Sequence, residues 1–331
     1  MANTSIATVA PDLVQKAWAK ATWEAGIHES YFNKFTGTSS GSIVQIKEEL
    51  RKGAGDSINI PLLMPLKGDG VKGDNKLEDN EEEMLYRDFD VSIDQYRNAV
   101  RLAGRMDEKK TQINMRSDAK NVLANWLARK TDMMIFDALT TDPSANRVIY
   151  AGSATSAATI SAADTFNTDL IGKAKRIALA DEDTAIRPVR INGADHYVMI
   201  VDQWQARDLM KDQKWLEAQQ YANVRGESNP IFTGALGMYN GVVVHMCNRL
   251  PRKATGASGV KVGNALFLGA QAAVMAIGEE PTWDEETFDY GNQHGFKIGR
   301  IFGVAKSHFK FDGSTDTDYG CINVLTSSVD D

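Results

Sequence analysis

Cysteine is scarce in this 331-residue chain: there are two, Cys247 and Cys321. They are too few and too far apart for a disulfide framework or a metal knuckle, so they read as buried thiols of a protein made in a reducing cytoplasm. The five histidines (His28, His196, His245, His294 and His308) are scattered. None forms an H-E-x-x-H or an i,i+4 pair, so no zinc-protease pattern exists. No Walker motif is present. No apolar run reaches the roughly 18 residues that a membrane span needs. The opening stretch, MANTSIATVAPDLVQKAWAK, lacks the basic start and apolar block of a secretion signal. A net charge of -7 argues against a surface that binds nucleic acid broadly.

What the chain does have is ordinary bulk composition, 43% hydrophobic and 24% charged, enough for one large domain or two modest ones. Two short motifs invite a catalytic interpretation. Gly68, Gly70 and Gly73 spell G-x-G-x-x-G, but dinucleotide binding needs a helix N-terminus directly after it. Here DNKLEDNEEE follows, with no apolar helical face and with acids that repel a pyrophosphate. A calcium loop fails as well, since Asp74 is followed at alternate positions by Lys76 and Glu78, with no glycine at the sixth place. Gly37 to Gly41, GTSSG, matches G-x-S-x-G around Ser39, yet no buried strand leads in as a nucleophile elbow requires. These motifs read more simply as a glycine-permitted loop and a polar linker.

Charge is unevenly placed. From Gly68 to Asp94 ten acids stand against three bases; from Gln95 to Lys130 nine bases stand against three acids. A strongly acidic segment therefore precedes a basic one.

The hydrophobic pattern predicts an α+β chain. Residues 10–35 read as a weakly amphipathic helical arm outside the core. DSINIPLLMPL (56–66) reads as a strand that Pro61 and Pro65 confine to an edge. Phe89, Val91 and Ile93 alternate with polar residues, and Val100 and Leu102 resume the rhythm. Two strands joined by about 20 polar residues make a long projecting hairpin, a connection length that signals function or disorder. Next, Met115, Ala119, Val122, Leu123, Trp126, Leu127, Met133, Met134 and Phe136 recur at helical spacing as a core face. That spacing predicts a helix from about Gln112 to Thr140, ended at Asp142-Pro143. A second amphipathic helix carries Phe166, Leu170, Ala174 and Ile177. HYVMIVD (196–202) is a buried strand, QWQARDLMKDQKWLEAQQYA a helix, NPIFTGALGMYNGVVVHMC a run of short strands around glycines, and NALFLGAQAAVMAIG a strand entering a turn or helix. The tail, FKIGRIFGVAKSHFKF and YGCINVLTS, is β-rich.

A hairpin too long and too polar to pack on its own domain recovers its ordering entropy by docking elsewhere. A second copy of the chain is the simplest dock, because the acidic arm complements the basic segment that follows it. Arm-over-neighbour contact is head-to-tail and builds rings and shells. The expected inter-subunit contacts are Asp69, Asp74, Glu78, Glu81, Glu82 and Glu83 on the arm, and Arg97, Arg101, Arg116 and Lys120 on the basic side. No catalytic residue, cofactor or metal is expected.

The order of motifs also resembles the major capsid proteins of tailed double-stranded DNA phages of the phage N4 type. GAGDSINIPLL, GDGVKGDNKLEDNEEE, VSIDQYRNAVRLAG, MRSDAKNVLANWLARKTDMMIFDAL, NPIFTGALGMYNGVVV and YGCINVLTS carry it, colinear from about Gly53 to Ser327. Asn98 stands where histidine is common in that family, and Asp79 where glycine is common. The resemblance implies the Hong Kong 97-type capsid fold: 1–52 an N-terminal arm, 53–106 the extension loop, 107–191 with 284–331 a peripheral domain holding a long spine helix, and 192–283 an axial domain. The last 45 or so residues would return to the peripheral sheet. It further implies pentamers and hexamers in an icosahedral shell, assembled in the host cytoplasm with a scaffold and a portal, and leaves decoration proteins open. That shell would enclose DNA without sequence-specific binding. Two other identities fit the residues: an encapsulin-like compartment shell, and a soluble α+β enzyme with a divalent metal on the acidic loop.

Overall fold

The computed structural model describes residues 30–51, 53, 55–66, 68–110, 115–180, 184–191, 193–220, 235–311 and 315–329. In chain order the elements are β1 (Thr36–Gly37), β2 (Val44–Lys47), β3 (Ser57–Leu63), β4 (Tyr86–Ser92), β5 (Asp94–Arg101), α1 (Arg105–Lys110) and α2 (Met115–Thr140). There follow β6 (Val148–Tyr150), α3 (Thr168–Leu179), β7 (Val189–Ile191), β8 (Ala194–Val201), α4 (Gln203–Lys211), α5 (Gln213–Gln220), β9 (Ala235–Tyr239) and β10 (Val242–Met246). The chain closes with β11 (Arg252–Lys253), β12 (Val262–Leu268), β13 (Ala273–Phe288), β14 (Gln293–Lys306), β15 (His308–Lys310), β16 (Asp316–Asp318) and β17 (Cys321–Ser327).

Two sheets and one long helix make the body. A five-stranded sheet runs β1-β2-β13-β14-β5, built on the long antiparallel β13–β14 ribbon. An eight-stranded sheet runs β6-β17-β12-β8-β10-β9, with β7 and β11 at its margins. Tyr197, Met199 and Val201 of β8 pack with α3 and α4 on one side of this second sheet, and Val198 and Ile200 face α2 and the first sheet on the other. Burial on both faces is why 196–202 reads as a nearly unbroken apolar run. The core that joins the sheets takes Ile135, Phe136 and Leu139 from α2, Met275 and Phe302 from the first sheet, and Leu266 and Leu268 from the second.

At 26 residues, α2 is about 39 Å long. Its expected onset at 112–114 lies outside the described residues; its end at Thr140 agrees with the Asp142-Pro143 stop. Lys306 Nζ donates to the carbonyls of Thr141 (3.0 Å) and Asp142 (2.5 Å) and lies 2.9 Å from Asp318 Oδ1. A cation therefore meets the negative end of the helix dipole.

Several expectations are corrected. The segment read as an outlying arm enters the core at its end: Tyr31–Phe35 is a 3₁₀ turn, with Phe32 and Phe35 buried against Phe136 and its neighbours. The rest of that expected helix, through residue 29, lies outside the described residues. The stretch from Phe89 to Leu102 serves two sheets, because β4 pairs with β3 whereas β5 pairs with β14. The single helix expected after Val201 is two, α4 and α5. Asp212 divides them because its carboxylate accepts from the amide (2.8 Å) and hydroxyl (2.6 Å) of Thr168 at the start of α3, and from the Lys214 amide. NALFLGAQAAVMAIG enters a turn, the first of its two expected continuations, and then runs on as strand β13. The tail divides as well: β14 lies in the first sheet, while β17 pairs with β12 and β6 in the second. Finally, β9 and β10 form a hairpin over Asn240 (φ 49°) and Gly241 (φ 76°), both left-handed, as a two-residue Asn-Gly turn requires.

Candidate assembly surfaces

Among the described residues the ribbon β3–β4 pairs only with itself, from Ser57 opposite Ser92 to Leu63 opposite Tyr86. Pro61 sits in β3 opposite Asp88, tolerated because both strands are edges. Asn59 Nδ2 donates to Asp88 (2.6 Å) and Asp90 (2.9 Å) across the pair. At its root, Phe89 and Val91 pack with Val274, Ala276 and Phe309. Ser92 and the backbone of Ile93 press on β14 at Gly303, where a Cβ would stand 1.9 Å from the Ser92 carbonyl oxygen. Only glycine allows that approach.

Beyond Met64 the ribbon opens into a loop. Among the described residues from Pro65 to Tyr86, every side chain except Val71 is exposed. Turns at Gly73 and Asp79 shape it, and Gly70, Gly73 and Asp79 are left-handed (φ 67°, 68° and 72°). Asp79 thus adopts the left-handed conformation that glycine takes at no steric cost. Glu82 accepts from the Gly68 amide (2.7 Å), and Lys76 pairs with Glu78 (2.7 Å). No helix follows Gly73 within the described part of this loop, so the glycines serve turns.

Asp69, Asp74, Glu78, Glu81, Glu82 and Glu83 are all exposed on this loop, as the sequence implied. Charge counting missed its apolar residues. Leu66 and Met84 are each 63% exposed and Leu77 60%, with Leu85 and Tyr86 exposed beside them. A count of large apolar side chains between the strands would have found them; periodicity could not, because a loop has none.

The basic candidates divide. Arg116 makes a two-pronged contact with Glu285 of its own chain (2.5 and 2.7 Å). The Arg101 guanidinium lies 4.2 Å over the Phe288 ring and donates to Gln293 (2.5 Å). Arg97 stands opposite Gly299 in the β5–β14 register, and Lys120 is half-buried on α2. The flank of α2 beside β5 carries Val122, Trp126, Arg129 and Met133, spaced four, three and four residues apart, with Trp126 half-buried against the cluster of Leu123, Leu127 and Ile298. Val122 and Met133, expected in the core, are exposed. With Asn98 and Lys130 they wall a groove of about 610 Å³, and Lys130 Nζ lies 4.9 Å over the Tyr96 ring.

Behind α2, Asp132 is fully buried and gathers the Ser30 hydroxyl (2.6 Å), the Tyr31 amide (2.8 Å), the Phe32 amide and the Arg249 guanidinium. Burial, with Cys247 and Asp132 nearby, pushes the Tyr31 phenol up. Burial lowers the neighbouring Lys34 ammonium, whose Nζ is 3.1 Å from His245 Nδ1. This hub fastens the start of the described chain to α2. Among the described residues, no three His, Cys, Asp or Glu side chains converge to hold a metal, and no helix is long and apolar enough to cross a membrane.

A body of packed sheets, with a ribbon covered at its root and a described loop beyond Met64 left almost wholly exposed, is a subunit plan that neighbours complete. The chain belongs to the phage capsid protein family, whose model matches residues 5–330. It is 31% identical, over a 360-residue alignment covering 94% of each chain, to the major capsid protein of Pseudomonas phage KPP25. Its structure matches the capsid of Ralstonia phage GP4 with a TM-score of 0.80 at 32% identity, covering 91% of this chain and 92% of that one. Cyanophage Pam1 capsid shares the fold (TM-score 0.76, 23% identity, 92% and 94% covered). The fold is the α+β Hong Kong 97-type capsid fold. In the virion this protein is a major capsid protein of the icosahedral head shell. These relatives favour the phage shell over the encapsulin-like compartment and the metal-dependent enzyme.

Proposed function

We propose that copies of this chain associate into pentamers and hexamers that close into the head shell around a scaffold and a portal, in the host cytoplasm. The ribbon and loop of residues 57–92 act as the extension loop and lie over the helix-bearing face of the next subunit. The observation that carries this is that, among the described residues from Pro65 to Tyr86, every side chain but Val71 is exposed. Acids at 69, 74, 78 and 81–83 face the neighbour's basic side in that arrangement. Arg97 and Arg101 edge that side; Arg116 and Lys120 support it from α2.

The domain assignment follows the sheets. The five-stranded sheet with α2 corresponds to the peripheral domain, and the eight-stranded sheet with α3–α5 to the axial domain. By this assignment β17 and β6 belong with the axial sheet and β5 with the peripheral one. The shell carries no catalytic role. It encloses double-stranded DNA without reading its sequence, since a chain of net charge -7 avoids broad phosphate neutralisation.

Negative-stain microscopy of the expressed protein tests the assembly. Closed shells or capsomers are expected; a monomer at high concentration overturns it. Salt-sensitive adsorption of free DNA to intact shells would count against a weakly interacting lining.

A further inference from the structure

Helix α2 carries apolar residues on more than one face. Leu123, Leu127, Ile135 and Phe136 are buried. Val122, Trp126 and Met133 line the outer groove, with Val122 and Met133 exposed. Large apolar side chains left exposed together at helical spacing mark an interaction face, so this outer stripe calls for a second cover. The same chain supplies one of matching chemistry. Its loop exposes Leu77 and Met84 beside Glu81, Glu82 and Glu83, and the groove sets Arg129 and Lys130 beside its apolar floor.

Accepting that the loop lies over a neighbour, we infer that its seat is this groove on a second copy. Leu77 and Met84 enter between Val122, Trp126 and Met133, and the three glutamates face Arg129 and Lys130. The apolar residues hold the contact and the acids steer it. Desolvated apolar anchors dominate interface energetics, whereas rim charges act on encounter and salt dependence. Loop and groove are different surfaces of one chain, so the contact is head-to-tail and propagates from copy to copy until a ring closes.

The native thiols are buried, so introduced ones can be addressed selectively. Chains carrying Met84→Cys and chains carrying Met133→Cys are assembled together and treated with a short bismaleimide. A dimer band is expected from the mixture and not from either variant alone, nor when Lys173→Cys on α3 replaces Met133→Cys. Shells that form without the Met84–Met133 product overturn the seat. In parallel, Leu77→Ser with Met84→Ser is expected to lower the assembled fraction at least tenfold at every salt concentration. Glu81→Gln, Glu82→Gln and Glu83→Gln together are expected to slow assembly mainly at low salt and to leave subunit folding unchanged by circular dichroism. The reverse pattern overturns the apolar anchor. A chain with residues 68–84 replaced by a short glycine linker separates the two levels. Normal shells from it defeat docking by the loop altogether, whereas failed assembly with no cross-link in the full chain defeats only the seat.

Discussion

Asp132 and Arg249 form an ion pair across the inside of the molecule, the carboxylate fully buried on α2 and the guanidinium one-third exposed on the turn after β10. The same carboxylate takes two backbone amides and a hydroxyl from Ser30–Phe32. Removing it strands several donors and a charge at once. Asp132→Ala is expected to cost about 3 kcal/mol, the low end for breaking a buried pair because Arg249 keeps some water. Asp132→Asn, which retains an acceptor, should cost less. Thermal unfolding of the purified variants measures both.

Cys247 and Cys321 are both buried. Burial raises the Cys247 thiol and pushes Cys321 up to about 12. The thiolate is the reactive form, so neither should react with a disulfide reagent at pH 8 in the folded protein. Both should react once guanidinium unfolds it. Rapid labelling of either thiol in the native protein would contradict this burial.

Asp212 joins α3 to the break between α4 and α5. Burial acts to raise its carboxyl, but hydrogen bonds from the Thr168 hydroxyl and amide and the Lys214 amide, with the Lys214 charge, bring it below its ordinary 3.8. A depressed carboxyl contributes stability that is complete above the unfolded-state value and is lost as pH falls through the folded-state value. Asp212→Asn is therefore expected to lower stability by about 1 kcal/mol at neutral pH. Its difference from the parent should shrink below pH 4 and vanish once the parent's carboxyl is protonated. Denaturant titrations between pH 3 and 7 check the sign.

Gly303 admits the backbone of Ser92 where the ribbon leaves the body. Gly303→Ala is expected to push the two strands apart, at a cost of about 1–3 kcal/mol for overpacking. Amide exchange should quicken in residues 89–101 and 299–306 of this variant, with 196–201 unchanged. Uniform protection in both regions would mean that the junction tolerates the methyl group.

Much of this architecture could be read from residue pattern, and the rest fails for physical reasons. Pro61 and the alternation of Phe89 and Val91 exposed the ribbon, and apolar spacing exposed α2 to its last turn. Periodicity reports how a strand is buried, not against which strand, so the separation of β14 from β17 was not readable. The division at Asp212 depends on a contact with Thr168, 44 residues away. Nine apolar positions on α2 looked like one core face, yet Val122 and Met133 lie on its exposed flank. For the assembly surface, the acids were conspicuous, while Leu77 and Met84 were hidden by the very charges that surround them.

Among the described residues the ribbon β3–β4 leaves two free edges, which in a protein that must crowd against its own copies invite strand addition. Pro61 withholds a donor from one edge, and Asp88 and Asp90 place like charges along the other strand. Strand addition from copy to copy, the route to endless fibres, is thereby closed off. Polymerisation is left to contacts between side-chain surfaces, whose curvature lets growth come to an end.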